Sequence, residues 1–188
     1  FSDFCSSFTN GFKAMTPAIL ILCMAWTLSG VCSDDYLNIG GFVSSVVNTE
    51  SAVGGLLPML FFLISVGLAF ATGTSWGTFG ILIPIAIAVF GNGNMLVICV
   101  ASILSGAVCG DHISPISDTT IMASTGAQCN HLYHVTTQIP YALVGASACF
   151  IGYLVAGFTQ NVLLTLFVAF VSLSIIIFVI RLYQKKSS

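Results

Sequence analysis

Charged side chains are almost missing from this sequence: four Lys and Arg and six Asp and Glu make up 5% of its 188 residues, where soluble domains carry about 25%. So few charges cannot cover a water-facing surface, which excludes an ordinary soluble domain. No basic run occurs and the formal net charge is −2, so no nucleic-acid partner is expected. Seven cysteines are present, but no two are spaced C-x-x-C. Most lie inside apolar runs, where the thiol behaves as a small hydrophobe, so no disulfide framework is expected. Nothing near Phe1 has the charged n-region and small-residue cleavage site of a signal peptide. Phe1 is also not a start methionine, and the chain is expected to be a piece of a longer protein. No convincing internal repeat is found.

What is present is apolar. Hydrophobic residues make up 57% of the chain and the mean hydropathy is +1.05, a composition that a bilayer favours on the outside of a protein as well as the inside. It predicts an all-α, polytopic transmembrane helical bundle surrounded by lipid. A crossing helix needs about 20 mostly apolar residues, which predicts clear spans over about 16–32, 136–157 and 161–183, with Pro17 at a tolerated first-turn position. A polar connection at 33–54 contains FVSSVV, read as a short interfacial helix.

Residues 55–127 are apolar but interrupted. GLLPMLFFLISVGLAFA (55–71) gives way to TGTSWGT (72–78), FGILIPIAIAVF (79–90) follows, and Gly91-Asn92-Gly93-Asn94 marks a turn. MLVICVASILSGAVC (95–109) then runs into GDHISPISDTT (110–120). A helix over 95–109 rises only about 22 Å, short of a ~30 Å hydrocarbon core. It is therefore expected to stop inside the membrane, with 110–118 unwound and 119–127 completing the crossing as a second half-helix, in a discontinuous arrangement. Six crossings result, with 72–90 read as either a crossing or a re-entrant hairpin. Lys13 precedes the first apolar run and Arg181, Lys185 and Lys186 follow the last, while Asp34, Asp35 and Glu50 lie in the first loop. By the positive-inside rule both ends are cytoplasmic, which gives a multi-pass protein of the plasma membrane with a cytoplasmic C-terminus.

The two interruptions carry the chemistry. An aspartate at membrane depth costs about 2.5–3.5 kcal/mol on insertion scales and marks a functional site by default. Asp111, Ser114, Ser117, Asp118, Thr119 and Thr120 put oxygen ligands for a hard cation into one short segment, which Pro115 keeps from closing into a helix. A buried carboxylate holds either a cation or a proton, and competition for one site gives cation/proton exchange with no further cofactor. The plainer reading of Asp118 is a helix N-cap. His112 reads equally as a proton carrier, a hydrogen-bond partner of a carboxylate or a satisfied polar residue. His131 and His134, in the loop before the penultimate helix, are expected to be solvated. Gly73-Thr74-Ser75-Trp76-Gly77 matches G-x-S-x-G, but a hydrolase elbow needs a strand before its serine and apolar helices flank this one.

GTSWGTFGILIPIA, GDHISPISDTTIMASTGA and HVTTQIPYAL, in that order, resemble the NhaC-type Na+/H+ antiporter family of the ion transporter superfamily, in its carboxy-terminal half. The resemblance covers residues 56–158 well and 16–50 more loosely. It implies a non-enzymatic secondary transporter of about twice this length with paired halves. Such a protein would exchange Na+ for H+ by alternating access or, in some relatives, move small organic anions such as malate and lactate. Roles carry over to Thr74, Ser75, Asp111, His112, Ser117, Asp118 and Thr119, with Asp111 and Asp118 as the sodium carboxylates. The missing amino-terminal half is then an obligatory partner, and a homodimer is compatible with this reading. No arginine lies inside the apolar runs to pair with an organic acid, although helix N-termini could do so, which places organic-anion exchange second. An intramembrane serine hydrolase using Ser75 with His112 ranks well below it, and a scaffold without transport leaves the polar motifs unexplained.

Overall fold

A computed structural model describes residues 2–32, 35–38, 42 and 52–187. Among these the chain is helical, with α1 Ser2–Cys32, α2 Ala52–Thr72, α3 Ser75–Phe90, α4 Asn94–Ile113, α5 Asp118–Gly126, α6 His131–Thr159 and α7 Val162–Ser187. Four helices, at 54–72, 94–113, 131–159 and 162–185, are long and apolar enough to cross a membrane, and α3 is a shorter apolar helix. The chain is thus a helical membrane bundle, as its composition predicts. α1 starts well before residue 16, and Pro17 lies in its middle rather than in its first turn. Upstream of the apolar run, Phe4, Phe8 and Phe12 recur every four residues on one exposed stripe of this helix, the spacing that places side chains on a single helix face. The FVSSVV run lies outside the described residues, Phe42 apart.

α2 and α4 run parallel in close contact. Gly106 faces the backbone of Phe62, Gly110 faces Val66 and Phe70, and Ser114 bonds the Phe70 carbonyl oxygen. α3 returns antiparallel between their ends as one helix, burying Leu82 and Ala86 against Phe61, Cys99 and Ile103. α6 crosses back over both parallel helices. Gly157 rests on Gly55, the Tyr153 ring lies 5.5 Å from that of Phe62, and the Tyr153 hydroxyl is 2.7 Å from Ser105 Oγ. α7 runs antiparallel to α6, with Gly152 against Ala169 at one end and Thr137 sharing a groove with Arg181 at the other. α1 packs against α3. The end of α4, the starts of α3 and α6 and the end of α7 therefore share one side of the bundle.

The expected unwound stretch is shorter than 110–118. α4 continues through Gly110, Asp111 and His112 to Ile113, and only residues 114–117 leave the helix. Gly110 allows the last turn to lie directly on α2. The helix ends at Ser114, which is extended at φ −77°, ψ 130°, because the residue before a proline is driven out of the helical region. A helix of 20 residues rises about 30 Å, so α4 matches the hydrocarbon thickness by itself. The break then falls at the end of a crossing, and the nine-residue α5 follows as a short helix.

Candidate functional site

Asp111 lies in the last turn of α4 and is only 6% exposed. Ser117 Oγ donates to its Oδ1 at 2.7 Å and Thr119 Oγ1 donates to its Oδ2 at 3.2 Å, while the two hydroxyl oxygens are 2.7 Å apart. One carboxylate and two hydroxyls thus converge at the junction of α4 with the start of α5. Thr120 Oγ1 ties the two helices together from behind, donating to the carbonyls of Asp111 and His112 at 3.4 and 3.3 Å. The N-terminal end of α5 places the positive end of its dipole at the Asp111 carboxylate. Among the described residues Asp111 has no basic partner, although carboxylates are almost never fully buried without one.

The first interruption comes up against the second. Gly73, at φ +66°, lies so close to Ile116 that a Cβ there would be 2.9 Å from the Ile116 carbonyl carbon and oxygen. A side chain at this position would meet both a strained backbone and a clash. Ser114 Oγ donates to the Phe70 carbonyl at 2.8 Å, which fixes the same junction from the other side. Thr74 caps α3, accepting from Gly77 N–H at 3.4 Å, and Ser75 begins that helix half-buried. Neither side chain bonds Asp111. The positive ends of α3 and α5 therefore both open at this junction.

Asp118 is placed differently from Asp111. It is exposed, accepts from the adjacent Thr119 N–H at 2.8 Å and, among the described residues, bonds no other group, the buried carboxylate included. It is not the N-cap either, because Ser117 holds that position and accepts from Thr120 N–H at 3.5 Å. His112 is exposed, borders an apolar cleft of about 720 Å³ between α4 and α6, and turns its Nε2 to the side-chain amide of Gln138. Among the described residues it makes no hydrogen bond to Ser75. Among the described residues no group of three or more His, Cys, Asp and Glu side chains gathers as a metal cluster, and the converging donors are hard oxygens.

His131 departs from the solvated role expected of it. It is half-buried, with Nε2 2.7 Å from the Pro115 carbonyl oxygen and Nδ1 3.1 Å from Ser124 Oγ, so it ties α6 to the unwound loop and to α5. The sequence signal that could have found it is small: a histidine directly after Asn130, the N-cap of α6, a short distance beyond a polar helix.

The family model described as "Na+/H+ antiporter family" matches residues 1–158. A Haemophilus influenzae protein described as uncharacterized is 46% identical over 181 residues, 95% of this chain and 34% of that protein. A Bacillus subtilis protein named "Malate-2H(+)/Na(+)-lactate antiporter" is 30% identical over 161 residues, 84% of this chain and 33% of that one. The chain spans about a third of the length of these curated relatives, rather than the half that its motifs suggest. No solved structure matches.

Proposed function

Because the chain belongs to the Na+/H+ antiporter family, we propose that it carries the cation site of a secondary transporter that exchanges Na+ for H+ by alternating access. The observation that supports this most is the buried Asp111, held by hydroxyls and, among the described residues, by no protein cation. An ionised carboxylate in such surroundings needs a counter-ion, and a protonated one needs none. Sodium and a proton therefore compete for the same two oxygens. In the ionised, sodium-free state the Ser117 and Thr119 hydroxyls turn their hydrogens to the carboxylate. When Na+ enters, the same hydroxyls rotate and present lone pairs to it, so loading needs no backbone rearrangement. Asp118, exposed at the start of α5, acts as an entry carboxylate beside the site, and Thr74 and Ser75 supply further oxygens from the abutting break. In this reading His112 hands protons on at the mouth of the cleft, the protein lies in the plasma membrane, and the missing remainder of the transporter completes the ion path.

The test is proton flux in vesicles carrying the full-length protein. Sodium added without any organic acid should collapse an imposed pH gradient. A second reading, sodium-coupled exchange of small carboxylates, has two supports: the named activity of the Bacillus subtilis relative, and the two helix N-termini at the junction, which suit an anion. A gradient that responds only once malate or lactate is added would select it.

A further inference from the structure

α6 and α7 are pressed together at one end and stand apart at the other. A Cβ on Gly152 would lie 3.3 Å from that of Ala169, whereas a groove of about 920 Å³ opens between the two helices towards the start of α6 and the end of α7. Its lining changes along its length. Val144 and Gly145 of α6 and Leu173 and Ile177 of α7 make the inner part apolar, while Tyr141 on one helix and Arg181 and Gln184 on the other bring a hydroxyl, a guanidinium and an amide to the open end. From Leu173 to Arg181 the wall rises about 12 Å.

No acidic residue balances Arg181 locally. Neither α6 nor α7 contains an Asp or Glu, and no carboxylate lines the groove. Lys185 lies one turn further along α7 and adds a second positive charge on the same helix face. Tyr141 and Tyr183 are exposed at this end, as residues that settle at the level of lipid headgroups are, and the apolar span ends at Lys185. Arg181 is therefore at headgroup depth and Leu173 and Ile177 at acyl-chain depth. A helix from the remainder of the transporter laid in this groove would bury Arg181 and would have to bring a carboxylate to it. The family-model match ends at residue 158, before α7 begins, so one wall of the groove stands outside the part shared with the family.

We propose that this groove holds one anionic phospholipid, its phosphate on Arg181 and an acyl chain along Val144 and Ile177. The planar guanidinium gives two parallel N–H donors to phosphate oxygens. Tyr141 and Gln184 bring further donors, and Lys185 favours an anionic over a zwitterionic headgroup. The acyl chain supplies packing that the two helices do not give each other here, so the lipid holds the end of α7 on the start of α6. The proposal concerns a lipid rather than the transported ion, and stands or falls separately from the exchange reading.

Thermal melts of the purified full-length protein in neutral detergent test it, with phosphatidylglycerol or phosphatidylcholine of identical acyl chains added at increasing mole fraction, and native mass spectrometry counts the lipids retained. Phosphatidylglycerol should raise the melting temperature saturably, with one molecule retained, at a mole fraction about tenfold below that needed for phosphatidylcholine, the worth of hydrogen bonds to a charged group. Arg181→Gln should abolish that preference, and Arg181→Lys should keep part of it, a point charge replacing the fork. Because Arg181 is exposed, neither variant should shift the melting temperature without lipid. Equal responses to the two lipids, or a native-like preference in Arg181→Gln, would overturn the proposal. So would an equal rise with inorganic phosphate or glycerol phosphate, which would mark a simple anion site. Retention of no lipid would overturn it too, and would give the groove to the rest of the transporter or to a second copy.

Discussion

Ser117 and Thr119 donate to the same carboxylate but differ in what else they hold. Ser117 is buried and caps α5, whereas Thr119 is exposed and caps nothing. Ser117→Ala should therefore weaken sodium affinity and also cost about 1 kcal/mol of stability through the lost cap. Thr119→Val should weaken affinity with stability nearly unchanged. About tenfold in the sodium KM is expected for either, one hydrogen-bond-sized contribution to a charged group; sodium titrations of exchange and thermal melts of the same preparations separate the two effects. At this scale the sequence was informative about Asp111, because an aspartate among apolar residues is conspicuous by its cost. It was uninformative about His131, whose partners Pro115 and Ser124 meet it only once α5 has folded back onto the start of α6. It was also ambiguous between Ser117 and Asp118 as the cap, since both residue types are good caps and a one-residue shift of the helix start decides which one serves.

α2 and α4 depend on missing side chains. A Cβ on Gly106 would come 2.5 Å from the Phe62 carbonyl oxygen, and one on Gly110 would overlap the Val66 carbonyl oxygen. Both obstacles are backbone, which cannot rotate aside. Gly106→Val should separate the two helices, with a loss of about 1–3 kcal/mol or more from overpacking. A lowered melting temperature of the detergent-solubilised full-length protein would show it, and Gly145→Ala, where no atom lies within 4 Å of the added Cβ, serves as the control. The spans themselves were legible from the length of the apolar runs. The end of α4 was not, because the apolar run stops at Cys109 when only hydropathy is counted, while the helix is carried on to Ile113 by packing of Gly110 on α2 and stopped by Pro115. Tertiary contact, rather than local preference, moved the break to the end of the crossing.

For the whole molecule, the chain folds so that both breaks, the starts of α3 and α6 and the basic end of α7 lie on one side. We propose from the positive-inside rule that this side faces the cytoplasm, which would put Asp111 towards the cytoplasmic end of the bundle. A fluorescent-protein reporter joined after Lys186 in the full-length protein should fluoresce, and alkaline phosphatase at the same position should stay inactive; the opposite pattern would reverse the orientation. The side on which the site sits could not have been read from the sequence, since it follows from α2 and α4 running parallel, a relation that appears only when Phe62 meets Gly106 and Phe70 meets Ser114.

The claim on which the rest depends is that Asp111 is the carboxylate for which sodium and protons compete. Equilibrium binding of radioactive sodium to the purified full-length protein, measured at alkaline pH for the native form, Asp111→Asn and Asp118→Asn, tests it most directly. Binding should be lost in Asp111→Asn, reduced but present in Asp118→Asn, and suppressed in the native protein as the pH is lowered. Native-like sodium binding by Asp111→Asn would contradict it.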